Sequence, residues 1–234
     1  TDHLVYGAPA VSPDGQFFAV ASGSFDGIYV FDRFGNGKMK LGGRASFDGT
    51  PAWSPDGTKV AFRSEVHNFC GDLGRIFVIN RDGTGLRQLT PEPADPNECP
   101  FDDAASWSSD GTRVLFTRSG ALMLINADGS GLVSTGVFGN DPDWSKDGTK
   151  IAFEGFNGAN GGIFVMDMTF VPHQITTPAE ADQRPRWSPD GSQLAFDRVE
   201  GGVFHIYTMH ADGTGLTKLT TSALSESWVT WSAN

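Results

Sequence analysis

The chain has 234 residues, among them 30 glycines and 13 prolines, and carries a formal net charge of −11 with a pI of about 4.7. That acidity disfavours a nucleic-acid backbone or an anionic membrane surface as partner, and no run approaches the roughly 20 apolar residues that a membrane helix needs. The length suits one domain with one large core, and no segment holds a 3.6-residue period over three turns. The chain opens on Thr1-Asp2-His3, with no basic start and no apolar segment. That is expected of a mature form trimmed of a leader, or of a chain prepared without one.

Taken in order, one pattern recurs. It is clearest at residues 51–62, Pro-Ala-Trp-Ser-Pro-Asp-Gly-Thr-Lys-Val-Ala-Phe. Ser54-Pro55-Asp56-Gly57 suits a type I turn, with Pro55 presetting φ and Gly57 in fourth place. Val60 and Phe62 then alternate along a second strand. Variants occupy 9–20, 105–116, 142–153 and 185–196, and a clipped copy, Val229-Thr230-Trp231-Ser232, closes the chain. The anchors Val11, Trp53, Trp107, Trp144, Trp187 and Trp231 recur about every 40 to 50 residues, a period that with four strands per unit marks a β-propeller.

Within the second unit the strands are expected at 51–54, 59–63, 75–80 and 86–90. The third strand is apolar on both faces in several units, as in Ile76-Phe77-Val78-Ile79 and Leu122-Met123-Leu124-Ile125. A sheet with one wet face would alternate instead, so both faces must be covered, as in radially stacked blades. The fourth strand is mixed in polarity, as suits an outer edge. Asp82-Gly83-Thr84-Gly85, Asp128-Gly129-Ser130-Gly131 and Asp212-Gly213-Thr214-Gly215 read as turns between third and fourth strands. They lack the further acidic positions and terminal Glu of an EF-hand loop.

The expected fold is therefore all-β: one domain over 1–234, a propeller of four-stranded antiparallel blades with five complete repeats and a partial sixth strand. Five blades are favoured, and a six-bladed ring lacking three strands is the alternative. The unit Pro-x-Trp-Ser-Pro-Asp-Gly-x-x-x-Ala-Phe, followed by Ile-Phe-Val-Ile-Asn-x-Asp-Gly and Leu-x-x-Leu-Thr, resembles the TolB-like β-propeller repeat over nearly the whole chain. The second and fifth units match it best. Val11 replaces Trp in the first, and Ser109 and Lys146 replace Pro in the third and fourth. Similar repeats occur in the propellers of prolyl-oligopeptidase-type peptidases, but this chain has no Gly-x-Ser-x-Gly elbow. They also occur in pectin-degrading lyases, whose His-rich metal site is not evident here. The motif residues build turns and core, so the resemblance implies fold more than activity.

Strand direction places the first–second and third–fourth turns on one face of the ring. The second–third and unit-to-unit loops fall on the other, and they vary: 64–74, 91–104 and 155–162. A rigid scaffold with variable loops on one face usually binds there. Cys70 and Cys99 lie in two of these loops and are expected to form a disulfide. It would close a loop of about 30 residues, contribute roughly 3 to 4 kcal/mol and imply an oxidising, periplasmic or extracellular compartment.

Three sets of side chains are candidates for function. Glu65, Asp72, Asp95, Glu98, Asp102 and Asp103, with His67 and Glu92 nearby, form either an acidic rim or a divalent-cation site, for which calcium suits the oxygen-rich donors. No cofactor is required by the sequence. Asp141 and Asp143 in the fourth unit and Arg184 and Arg186 in the fifth sit at equivalent places before the anchor Trp. They either pair across the blade boundary or hold an anionic group at the channel mouth. Glu154 and Asp197, one residue past the second-strand Phe, belong to the same rim. Phe69, Phe101, Phe138 and Phe156 either pack these loops or offer an apolar contact. The expected function is a non-enzymatic binding propeller outside the cytoplasm, presenting the loop face and channel mouth to a protein, peptide or glycan. The alternative is a polysaccharide-active enzyme of glycosidase or lyase type that uses rim carboxylates. Oligomeric state is open.

Overall fold

A computed structural model describes residues 9–22, 27–41, 48–68, 70–95, 97–156, 161–177 and 181–231. They form five four-stranded antiparallel sheets, each built from four strands consecutive in sequence. The first blade holds β1 (Ala10–Val11), β2 (Phe17–Ala21), β3 (Ile28–Asp32) and β4 (Met39–Leu41). The second holds β5 (Gly49–Trp53), β6 (Lys59–Asn68), β7 (Gly71–Asn80) and β8 (Arg87–Gln88). The third holds β9 (Asp102–Trp107), β10 (Arg113–Arg118), β11 (Ala121–Asn126) and β12 (Val133–Phe138). The fourth holds β13 (Asn140–Trp144), β14 (Lys150–Phe156), β15 (Gly161–Asp167) and β16 (His173–Gln174). The fifth holds β17 (Ala181–Trp187), β18 (Gln193–Glu200), β19 (Val203–His210) and β20 (Thr217–Lys218). No helix occurs among the described residues.

Each blade begins with the same turn. Gly57 N–H donates to the Ser54 carbonyl at 2.8 Å, and Gly57 has φ +66°, which an L side chain rarely adopts. The Ser54 hydroxyl donates to Asp56 Oδ1 at 2.6 Å, and Asp56 accepts from Thr58 N–H. Ser12–Asp14, Ser108–Asp110, Ser145–Asp147 and Ser188–Asp190 repeat the contact. The replacements Ser109 and Lys146 fall where Pro55 sits and leave this network intact.

The blades are joined by mixed clusters. Ile28 and Val30 of the first pack with Trp53, Phe62 and Phe77 of the second, and equivalent clusters join second to third, third to fourth and fourth to fifth. Phe62, Phe116, Phe153 and Phe196 are all fully buried, each worth about 1.5 to 3 kcal/mol of transfer free energy. The doubly apolar third strand is thus explained by blades on both sides of it.

The expected partial sixth strand is not formed: the C-terminal segment docks beside the inner strands as irregular chain, because it pairs through isolated hydrogen bonds and not a ladder. Trp53 Nε1 donates to the Ala10 carbonyl, and Trp107 Nε1 to the Ala52 carbonyl. Trp231 Nε1 makes the matching bond to the Arg186 carbonyl at 3.0 Å. Glu226 N–H reaches the Phe204 carbonyl and Trp228 N–H reaches Asp197 Oδ2. The described residues therefore form five complete blades, and the C-terminal segment lines the channel with the inner strands.

Two expected loops are largely strand. Residues 64–74 continue the β6–β7 ladder from Ser64↔Arg75 to Asn68↔Gly71. Gly155↔Gly162 and Phe156↔Gly161 likewise extend β14–β15. Polar residues in a protruding hairpin can pair as backbone without a core, so composition concealed the ladder. Conversely β8 shrinks to Arg87–Gln88.

Candidate functional site at the channel mouth

The inner strands β5, β9, β13 and β17 and the segment ending at Trp231 share a local break. Three residues before each Trp the backbone turns left-handed: Thr50 (φ 46°), Ala104 (52°), Asp141 (47°), Arg184 (55°) and Trp228 (69°). The ladder skips at the same place in β5, β13 and β17. A bulge with a left-handed residue bends the strand and re-aims its side chain. Non-glycine residues pay about 1 to 3 kcal/mol for such geometry. Sequence reasoning missed this device because none of the five is Gly or Asn. The one signal is their shared offset from the Trp.

Behind the bends at Ala104 and Arg184 a buried carboxylate is clamped. Arg118 grips Asp102 with Nε–Oδ1 at 2.6 Å and Nη2–Oδ2 at 2.8 Å. Arg198 grips Asp182 with the same two distances. Both aspartates are fully buried and lie five residues before their Trp. In the fourth blade that position is Gly139. A Cβ there would lie 2.4 Å from the Phe153 ring and 2.7 Å from the Glu154 carbonyl, so glycine is required beside Glu154.

The bends bring together the six residues expected at the channel mouth. Arg184 Nε binds Asp197 Oδ2 at 2.6 Å, and its guanidinium lies 4.4 Å from the Trp228 ring centroid and 5.0 Å from that of Phe204. Asp143 Oδ2 accepts the Trp187 N–H at 2.7 Å, and Arg186 Nη1 donates to the Pro185 carbonyl and, at 3.5 Å, to the Asp141 carbonyl. Blade-to-blade pairing is thus made through backbone groups, while the side-chain ion pair, Arg184–Asp197, stays within the fifth blade. Burial raises the pKa of Asp143 against the pull of Arg186. It raises Asp141 too, with Asp103 and Asp197 adding repulsion, and Asp197 against the Arg184 hydrogen bond. Burial, with repulsion from Asp141, pushes Glu154 to about 7.

Two cavities meet here. One, of about 240 Å³, runs down the channel between the inner strands. The other, of about 230 Å³, opens on the loop face between the third and fourth blades and contains Phe101, Asp103, Thr117, Asp141 and Glu154. Ala104 and Asp141 line both.

Phe101, at the end of the connection between the second and third blades, lines this second cavity. Cys70 and Cys99 are joined by the expected disulfide, with Cα atoms 5.8 Å apart. Arg75, fully buried, donates to the Pro100 carbonyl and to Glu92 Oε2. Phe101 is fixed by Ser119 through two hydrogen bonds and faces the Arg63 guanidinium at 5.4 Å.

The acidic set expected to hold a cation is dispersed. Glu65 and Asp72 lie on the β6–β7 hairpin, where Asp72 Oδ1 lies 2.9 Å from His67 Nδ1. Asp95 organises its own loop through Asn97, and Glu98 N–H bonds the Asp95 carbonyl. Asp102 is consumed by Arg118. Asp103 accepts from the Thr50 hydroxyl and from Ala104 N–H. Among the described residues no three His, Cys, Asp or Glu groups converge as metal donors. Phe138 and Phe156 are exposed at 74% and 59%, and Phe69 lies outside the described residues.

No protein-family profile and no curated protein matches the sequence. Solved structures do match. A TolB-type protein of Agrobacterium tumefaciens shares 22% identity at a TM-score of 0.76, over 93% of this chain and 81% of that one. TolB of Acinetobacter baumannii shares 21% at 0.78, over 93% of this chain and 55% of that one. An oligogalacturonate lyase solved with manganese shares 13% at 0.64, over 90% of this chain and 63% of that one. The architecture defines a five-bladed propeller. The chain has the TolB-like β-propeller fold.

Proposed function

We propose that the chain is a binding propeller that receives a protein, peptide or glycan at the loop-face mouth of its channel. The observation that carries this reading is the repeated left-handed bend, which holds Asp141 and Arg184 at the rim beside a preformed cavity. Strain retained at equivalent places around one opening marks a site where geometry is held for use. The fold likeness to TolB agrees with a binding role, and the disulfide agrees with an oxidising compartment, periplasmic or extracellular.

The test is selection of ligands from a random peptide display library and a glycan array, followed by titration against variants. Arg184→Ala and Trp228→Ala should weaken a selected ligand at least about tenfold, or about 1.4 kcal/mol, while Lys150→Ala on the opposite, turn face leaves it unchanged. Unaltered affinity in both mouth variants would refute the assignment.

A second reading has one observation in its favour. A carboxyl poised near pH 7 beside another carboxylate, Glu154 beside Asp141, also suits acid–base chemistry on a polysaccharide. Release of new reducing ends or unsaturated products, lost in Glu154→Gln, would replace binding by catalysis. A glycan screen without product would leave binding alone.

A further inference from the structure

We propose that the cavity between the third and fourth blades receives a primary ammonium group on an aliphatic stem, such as a lysine side chain or a free diamine, held by Asp141, Glu154 and the Thr117 hydroxyl. This rests on the reading of the mouth as a binding site and names the chemistry it takes.

The polar groups of the cavity are unequally engaged. Asp103 is occupied by Thr50, Ala104 and, at 3.8 Å, Arg63. Neither the Asp141 nor the Glu154 carboxylate has a hydrogen bond or ion pair among the described residues. Thr117 is only 6% exposed, lines the cavity, and its Oγ1 has no partner. A buried hydroxyl left without a partner forfeits about 1 to 3 kcal/mol that a bound polar group would restore. No lysine or arginine lines the cavity. The nearby cations are committed: Arg184 to Asp197 and two rings, Arg186 to backbone carbonyls, and Arg63 to Asp103 and Phe101.

The open groups are acceptors, two carboxylates and one hydroxyl. An ammonium offers three donors and no acceptor, and its charge answers the carboxylates. A bare metal ion fits worse, because among the described residues no three His, Cys, Asp or Glu groups converge and about 230 Å³ is far more room than an ion occupies. Ala104 and the Phe101 ring supply apolar wall for a methylene stem, as lysine stems favour. An anionic ligand would meet two carboxylates that Arg184 and Arg186 offset only through space, without a hydrogen bond to either.

The experiment is calorimetric titration of the intact, oxidised protein at pH 8 with Nα-acetyl-lysine amide and with cadaverine. Nα-acetyl-norleucine amide and calcium chloride are the controls. Saturable binding of the two amines is expected, with none for the norleucine compound. Thr117→Val should weaken it about tenfold and Glu154→Gln at least as much. Tighter binding of the lysine compound identifies a protein side chain as the source, and tighter binding of cadaverine a free diamine. Absence of amine binding at millimolar concentration, equal binding of norleucine amide, or displacement of the amine by calcium would overturn the proposal. The wild-type comparison of lysine with norleucine decides even if a variant fails to fold. If amines fail while selected ligands still depend on Arg184 and Trp228, only this inference falls. If both dependences fail, the mouth itself is not the site.

Discussion

Ala104 sits at φ 52° with no side-chain reason of its own to do so. The same backbone recurs at Thr50, Asp141, Arg184 and Trp228, whatever residue occupies the place. Ala104→Gly should therefore stabilise the protein, because the relief of left-handed strain exceeds the added freedom of the unfolded chain. A gain of about 0.5 to 1 kcal/mol is expected in urea unfolding at unchanged slope. A loss would mean the bend is not strained. Glycine at this offset in every repeat would have announced the bend in the sequence. Thr, Ala, Asp, Arg and Trp do not. The turn aspartates were the opposite case, since Ser-Pro-Asp-Gly names its own hydrogen bonds.

At the level of strands, β9 and β17 are tied to β10 and β18 by the buried pairs Asp102–Arg118 and Asp182–Arg198. Removing one partner strands a charge away from water. Arg118→Ala should cost about 3 to 5 kcal/mol, measured by denaturant unfolding, whereas a loss below 1 kcal/mol would show that water reaches Asp102. The hairpin β6–β7 and the connection to β9 are tied by Cys70–Cys99, across a sequence separation of 29. Reduction should lower stability by roughly 3 to 4 kcal/mol in the chain-entropy model, and thiol titration of the unfolded protein should find no free thiol before reductant and two after. The sequence showed both cysteines on one face because strand direction sorts the loops. It did not show the long β6–β7 ladder, because Glu65, His67 and Asp72 carry no apolar alternation. The acidic residues looked like one cluster because strand direction puts the two loops that hold them on one face. In the fold Asp102 turns inward to Arg118 while Asp95 caps its own loop.

Over the whole molecule, two groups of carboxylates set opposite pH dependences. The turn aspartates lie below their usual range because Ser and Thr hydroxyls and backbone N–H groups bind the ionised form. Asp110 and Asp190 fall to about 2, and Asp14, Asp56 and Asp147 shift the same way. Their contribution is complete above about pH 4 and is lost as pH falls towards 2. Glu154 does the reverse. Between its ordinary 4.5 and about 7 the unfolded chain has released the proton that the folded chain keeps, so stability falls as pH rises through that window. Melting temperature should therefore peak in mildly acid solution and decline towards pH 8. Glu154→Gln should flatten the decline, recovering up to about 3 kcal/mol before solvent screening at the mouth reduces it. A wild-type and variant decline of equal size would show that Glu154 is ionised at neutral pH.

The blade count was legible because turns and Trp anchors repeat with the period of a blade. How the C-terminal segment docks was not, since Trp231 finds its acceptor, the Arg186 carbonyl, only after the fifth blade is folded. The mouth residues were legible as charges at equivalent positions. Which of them remain open for a ligand depends on hydrogen bonds across blades, which spacing does not encode.

The most direct measurement is the amide hydrogen-exchange footprint of a ligand taken from the peptide or glycan selection. Protection is predicted at residues 101–106, 139–143, 181–186 and 226–229, the bent starts of the inner strands. Protection confined to the turns at 54–58, 108–112 and 188–192, with the bent segments unchanged, would place the binding face on the opposite side of the ring and contradict the account.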